Sequence, residues 1–237
     1  MCSHNISSLK LPFLFIEKRL LNDLTLLIND TWIPHFNTFG YTGNWKAISL
    51  LAYNGDPTNI FALPNGVSKT KETSILKKCR YFKEVIAVFK CDILSARILR
   101  LEPGAEIKPH KDHELGYEDG NFRIHIPITT NTDVCFILNG KPLKMHPGEC
   151  WYTNVNYTHS VSNNGTTDRV HLVIDGKRNT WSDDLFFSLA PKELLTTKQI
   201  IEVSPETKKR MIEELQFSKL DAAKELVNKL QKELKQN

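Results

Sequence analysis

The chain has 237 residues, 41% of them hydrophobic and 24% charged, with a formal net charge of +4. That is enough apolar material for a full core, and the charge is mild and mixed, so nucleic acid is not demanded as a partner while anionic small substrates are compatible. Cys2, Cys79, Cys91, Cys135 and Cys150 contain no Cys-x-x-Cys pair and are odd in number, which argues against a disulfide framework or a thiolate zinc site and for a reducing cytoplasm.

No run approaches the roughly twenty apolar residues of a membrane helix. The patch Leu11 to Ile16 is interrupted by Pro12 and lacks the basic lead and cleavage site of a secretory leader. Phe13 to Asn29 then carries Phe15, Ile16, Leu20, Leu24, Leu27 and Ile28 at helical spacing, predicting a packing helix. Gly40 to Gly43 predicts a turn, with a β-favouring run from Trp45. Beyond a loop marked by Asp56-Pro57 and Pro64-Asn65-Gly66, the residues Ile75, Cys79, Phe82, Val85, Ile86 and Phe89 predict a second helix.

From Asp92 the period changes to two. Ile93 to Leu101, Phe122 to Ile128, Val134 to Leu138, Glu149 to Thr153, His159 to Ser162 and Arg169 to Ile174 read as short strands. They are bounded by turn residues at Pro103-Gly104, Gly116 to Gly120, Asn139-Gly140, Pro147-Gly148 and Asn164-Gly165. Strands at this spacing predict a mainly β protein with flanking helices and a jelly-roll, or double-stranded β-helix, cupin-like core. Pro191 to Ile201 and Glu206 to Lys235 return to helical spacing. The expected organisation is an N-terminal helical or mixed segment, 1–90, buttressing the core, 91–178, and a helical extension, 179–237. The last helix is expected to cap the barrel or to pair with a second copy as a homodimer.

A His-x-Asp pair followed tens of residues later by a lone His can hold iron(II) through two imidazoles and one carboxylate, leaving positions open for chemistry. On extended backbone, residues two apart face one way, so His110 and Asp112 converge while Lys111 turns aside, and an antiparallel return would bring His159 beside them. His113 would point away from His110. Arg123 and His125 share a face, as do Arg169 and His171, and a guanidinium inside a barrel is costly unless an anion meets it. Carboxylate-bearing ligands are therefore expected. His35, after Pro34, and His146, before a Pro-Gly turn, are expected on the surface or in loops. Glu114, Glu118 and Asp119 read as solvated residues of a mobile lid, and Arg97 and Arg100 as facing opposite ways.

The stretches Leu101-Glu102-Pro103-Gly104, His110-x-Asp112, Arg123-Ile124-His125-Ile126-Pro127, Pro147-Gly148-Glu149, and His159 with Arg169 to Asp175 occur in one order. Together they resemble the aspartyl/asparaginyl β-hydroxylase family of cupin dioxygenases, and within it the small bacterial hydroxylases of free amino acids such as the proline cis-4-hydroxylases. The resemblance implies Fe(II) at His110, Asp112 and His159, with the distal carboxylate of 2-oxoglutarate on Arg169 and His125 near the cosubstrate's metal-bound end. It places Arg123 and Arg97 on the substrate carboxylate, and Trp45, otherwise readable as core filler, in the substrate pocket. The implied reaction consumes O2 and hydroxylates an unactivated carbon of a free amino acid or small derivative, with succinate and CO2 as coproducts. Related halogenases replace the carboxylate ligand, so Asp112 implies hydroxyl rather than halide transfer. Hydroxylation of Asp or Asn side chains in a peptide or carrier-bound substrate is a second reading, and a metal-binding cupin-fold ligand-binding protein without turnover a third.

Overall fold

A computed structural model describes residues 5–61 and 70–197 continuously, and beyond them the single helical positions 205, 209, 212–213, 227–228, 231–232 and 234. Residues Met1–Thr197 form one compact unit and Lys198–Asn237 another. The expected helix of Glu206 to Lys235 is helical at each described position; its capping or pairing role lies outside the described residues.

In chain order the first unit runs β1 (Ser8–Leu14), α1 (Glu17–Thr25), β2 (Ile33–Pro34), β3 (Tyr41–Thr42), β4 (Trp45–Tyr53), β5 (Thr70–Glu72) and α2 (Arg80–Ile86). It continues with β6 (Ile93–Leu101), β7 (Glu106–His110), β8 (Asn121–Thr129), β9 (Val134–Leu138), β10 (Lys141–Pro142), β11 (Glu149–Thr153), β12 (His159–Asn163), β13 (Arg169–Lys177), α3 (Thr180–Phe187) and α4 (Glu193–Thr196). One antiparallel sheet has the order β1-β11-β8-β13-β6-β4-β2, with β5 on β4, and the other the order β10-β9-β12-β7-β3. From β6 to β13 the longer strands alternate between the two sheets as the chain advances, which is the winding of a jelly roll. The mainly β class with flanking helices is the observed one. β1 and β4, from the expected N-terminal segment, extend the barrel's own first sheet.

The pleat assigns the faces. On β13, Val170, Leu172 and Ile174 join Ile98, Ile124 and Ile126 of the neighbouring strands in a core that also takes Leu20 of α1, Phe82 of α2 and Phe186 of α3. The opposite face looks between the sheets, where Leu99, Leu101 and Val173 meet Ile107, Phe136, Leu138 and Val161 of the second sheet. The first sheet is thus buried on both sides, and its inner face is apolar at one level and charged at another.

Three local features shape these elements. Phe13 and Leu14 end β1 rather than begin a helix, and α1 starts at Glu17. β1 is an edge strand whose register on β11 shifts between Leu11 and Leu14, so Pro12 sits where the ladder is already irregular. The helix α3 lies inside the expected helical extension, 179–237, ahead of the first stretch read as helical, Pro191 to Ile201. It starts at Asn179, whose side chain accepts the Ser182 N–H at 3.0 Å while the Ser182 hydroxyl accepts the Asn179 N–H at 2.9 Å. Gly148, at φ 78°, passes so close to the Phe15 carbonyl that a Cβ there would collide with it. Among the described residues no helix is long and apolar enough to cross a membrane. The four described cysteines are all free thiols.

Candidate metal and anion site

β12 pairs with β7 so that His159 stands opposite His110, with ring centroids 4.2 Å apart. Each ring is oriented by the carbonyl two residues before it: His110 Nδ1 lies 2.8 Å from the Lys108 oxygen and His159 Nδ1 3.1 Å from that of Tyr157. A carbonyl can only accept, so both Nδ1 atoms carry the hydrogen and both Nε2 lone pairs are free to ligate. β7 ends at His110, and Asp112 is fixed beyond it by its N–H, which donates to the Val155 carbonyl at 2.9 Å. Asp112 Oδ1 then lies 3.8 Å from His110 Nε2. One potential ligand atom from each of His110, Asp112 and His159 falls within 4.8 Å of the others. Two imidazoles and one carboxylate at this spacing fit a divalent first-row metal with open coordination positions.

Protonation suits that role. Burial, helped by His110, lowers the His159 pKa to about 4. Burial opposes ionisation of Asp112, but Arg123 and the two histidines outweigh it and hold its pKa below the usual carboxylate range. The two carboxylate oxygens are divided: Oδ1 faces the imidazoles while Oδ2 accepts from Arg123 Nη1.

Behind the triad, the inward face of β6, β8 and β13 carries the charged residues. Asp175, fully buried, accepts from Arg123 Nε at 2.7 Å, from Arg97 Nη2 at 2.8 Å and from the Ser95 hydroxyl at 2.8 Å. Its burial disfavours charge, yet the two guanidiniums bring its pKa down to about 2. Asp175 therefore supplies part of the anion that Arg97 and Arg123 require, a role missing from the expectations above although period two put it on the face of Arg169 and His171. Asp175→Asn strips both guanidiniums of their buried counter-ion and is expected to cost about 3–5 kcal/mol. Urea denaturation at pH 7 measures this, and a loss under about 1 kcal/mol would mean that the arginines are neutralised elsewhere.

Arg169 differs from these two. It is 1% exposed, its Nη2 lies 3.0 Å from His171 Nδ1, and its buried Nε has no hydrogen-bond partner among the described residues. No carboxylate pairs with it there, and burial alone lowers its pKa. Since a guanidinium only donates, His171 Nδ1 accepts and its Nε2 carries the hydrogen. His125, with ring centroid 5.6 Å from that of His171, also has an unpartnered Nδ1. Burial first and then the arginines hold both imidazoles neutral.

One cavity of about 420 Å³ is lined by all eight residues singled out in the sequence: His110, Asp112, His159, Arg169, His125, Arg123, Arg97 and Trp45. A second, of about 370 Å³, reaches Arg169 and His171 from the side of Leu143, Met145 and His146.

His35 lies in a loop, one of its two expected settings, but not on the surface. It is buried in the first cavity with its ring stacked on Trp45 at 3.5 Å and 13°, and its N–H donates to the Trp45 carbonyl at 2.9 Å. Burial, with Arg97 adding to it, lowers its pKa to about 3. Phe36 stacks on His35 at 4.3 Å and meets Phe61 at 4.5 Å, so the mouth of the cavity has an aromatic wall. Only the pairing of β2 with β4 brings His35 onto Trp45, and no local signal in the sequence announces that. The supposed lid also differs: Glu118 accepts from Asn154 and Asn156, and Asp119 from Asn156 at 2.6 Å, which ties the loop to the segment before His159. His113 and His146 are exposed. Arg100 turns away from Arg97 to lie over Trp32 and pair with Glu102 at 3.2 Å.

A model of the family described as Aspartyl/Asparaginyl beta-hydroxylase matches residues 17–179. The L-proline cis-4-hydroxylase of Rhizobium meliloti (strain 1021) is 25% identical over 215 residues, covering 90% of this chain and 74% of the relative. Among solved structures, a 2OG-Fe(II) oxygenase family oxidoreductase from Burkholderia pseudomallei is similar with 15% identity and a TM-score of 0.46, over 73% of this chain and 88% of its own. A prolyl hydroxylase from Trichoplax adhaerens is similar with 10% identity and a TM-score of 0.47, over 72% and 83%.

Proposed function

The chain belongs to the aspartyl/asparaginyl β-hydroxylase family, whose members are 2-oxoglutarate-dependent dioxygenases, and from that membership we propose that it hydroxylates an unactivated carbon of a free amino acid or small derivative. The observation that carries the reading is the unpaired, buried guanidinium of Arg169 in the same cavity as the two-imidazole, one-carboxylate cluster. A dicarboxylate cosubstrate reaching from a metal to a deep cation is what that pairing suits.

In this reading His110 and His159 present Nε2 to iron(II), each kept in the correct tautomer by its carbonyl, and Asp112 presents Oδ1 while Arg123 restrains Oδ2. Iron, 2-oxoglutarate and O2 together supply the oxidising chemistry that turns a C–H bond into C–OH, with succinate and CO2 released. Arg169 takes the distal carboxylate of 2-oxoglutarate, and His171 orients the guanidinium through its Nδ1. His125, neutral and with an unpartnered nitrogen, lies where it can hydrogen-bond the cosubstrate's other end. Arg97 and Arg123 face the substrate carboxylate, and Trp45 with His35 forms the wall that orients the remainder and excludes water.

The test is iron-dependent release of succinate from 2-oxoglutarate by the wild type and by Arg169→Met. Losing one side of a buried charge-assisted pair should raise the KM for 2-oxoglutarate on the order of a hundredfold, with kcat at saturation changed far less. An unchanged KM would remove Arg169 from this role, and absence of any iron-dependent turnover would leave a ligand-binding cupin.

A further inference from the structure

The cavity's unmatched groups restrict what the substrate can be. Its charged residues are Arg97, Arg123 and Arg169 against Asp112 and, just behind, Asp175, with Lys111 at the rim. Three buried guanidiniums against two carboxylates leave one positive charge over. A divalent metal and a dianionic cosubstrate cancel each other, so that surplus stays for the substrate, on the Arg97 and Arg123 side.

Hydrogen-bonding capacity points the same way. Among the described lining residues, Trp45 Nε1, Arg97 Nε, Arg169 Nε and His125 Nδ1 are buried without partners; the first three only donate, and the imidazole nitrogen, which can donate or accept, is the one assigned to the cosubstrate. Asp112 is the only carboxylate among those residues, and both of its oxygens are committed, one to the metal cluster and one to Arg123. A substrate ammonium would find no uncommitted carboxylate among the described lining residues and would add to the positive surplus; a substrate bringing acceptors would satisfy the donors. Phe36 and Phe61, which line the mouth, are 55% and 48% exposed. That is apolar surface a ligand could cover next to Trp45.

We infer that the substrate is a monoanionic amino acid whose amine is acylated. Its carboxylate is matched by Arg97 and Arg123, its amide carbonyl accepts from Trp45 Nε1, and its acyl group lies over Phe36 and Phe61. This rests on the dioxygenase reading above and narrows its substrate from amino acids in general to those without a free ammonium.

The experiment supplies the iron(II)-loaded full chain and 2-oxoglutarate with each proteinogenic amino acid in three forms: free, N-acetyl and N-benzoyl. Substrate-stimulated succinate release is read, with mass detection of the hydroxylated product. Calorimetric titration of the manganese-loaded protein, with 2-oxoglutarate present, gives binding without turnover. The expected result is a blocked form whose kcat/KM exceeds that of its free parent by about tenfold or more, one unpaired ammonium being worth at least that factor. Trp45→Phe should weaken calorimetric binding of that blocked form several-fold while the same substitution leaves 2-oxoglutarate binding unchanged. A free amino acid that matches or beats its blocked forms overturns the inference. So does stimulation by an Asp- or Asn-containing peptide alone, or iron-dependent basal succinate release that none of the three forms raises. If the protein neither binds 2-oxoglutarate nor consumes it with iron, the dioxygenase reading itself fails, and the inference with it.

Discussion

Asp112→Ala is expected to leave a folded protein that loses iron(II) on dialysis and releases no succinate above background. The substitution removes the only oxygen donor of the three-residue cluster. Changing a group that merely orients a ligand costs roughly 10- to 100-fold in metal affinity, and deleting the ligand itself must cost more. Folding should survive because the Asp112 side chain is 31% exposed and Arg123 keeps its second anion, Asp175, at 2.7 Å. His113→Ala is the control: His113 is exposed beside Asp112 and, among the described residues, belongs to no cluster within ligating distance. Metal content after anaerobic loading, succinate yield and the unfolding midpoint separate the outcomes. Retained turnover in Asp112→Ala would end the assignment, whereas loss of turnover together with loss of fold would call for Asp112→Asn, which keeps the shape and drops the charge.

Metal-free protein should lose stability steeply as the pH falls below about 6.5. His35, His125, His159 and His171 are buried as neutral imidazoles, with burial the leading cause in each case: His35 is lowered from 6.5 to about 3, His159 to about 4, and the other two lie well below 6.5. In the unfolded chain all four titrate near 6.5, so below that pH the unfolded state binds about four protons that the native state refuses. Stability is therefore greatest above 6.5 and declines downward through the window that ends, for His35, at about 3. The slope is about 1.4 kcal/mol per pH unit for each proton, so about 5–6 kcal/mol per unit for the four. Asp175, lowered from 3.8 to about 2, adds its own loss only below the ordinary carboxylate range. Urea midpoints at pH 7, 6 and 5 test this. Equal midpoints across that interval would show that protons reach the buried rings without unfolding, contrary to the closed packing described.

The barrel was largely legible because its strands carry period-two patterns cut by turn residues. Val134 to Leu138 and Glu149 to Thr153 coincide with the observed β9 and β11. The His110, Asp112 and His159 cluster was legible for a related reason, since an antiparallel ladder returns residues to one place and β12 does so on β7. What could not be read was set by partners distant in the chain. His35 looks like a surface residue until β2 joins β4 and buries it on Trp45. Glu118 looks solvated until Asn154 and Asn156 donate to it. Phe13 and Leu14 look like the first turn of a helix because helical and buried-strand patterns coincide over so short a run. Arg123 was read as a barrel guanidinium needing an anion, but period two alone did not say that Asp175 already provides one.

The nine residues of β13 hold the Arg169–His171–Asp175 row on one face and the Val170–Leu172–Ile174 row on the other. A single inserted or deleted residue would exchange the two rows, sending charges into the core and aliphatic groups into the cavity. This part of the chain can therefore drift only by substitution at fixed length. Variation in what the enzyme accepts has to enter through the rim, where Phe36 and Phe61 stand half in solvent, so relatives with different substrates should share the barrel floor and diverge at its lip.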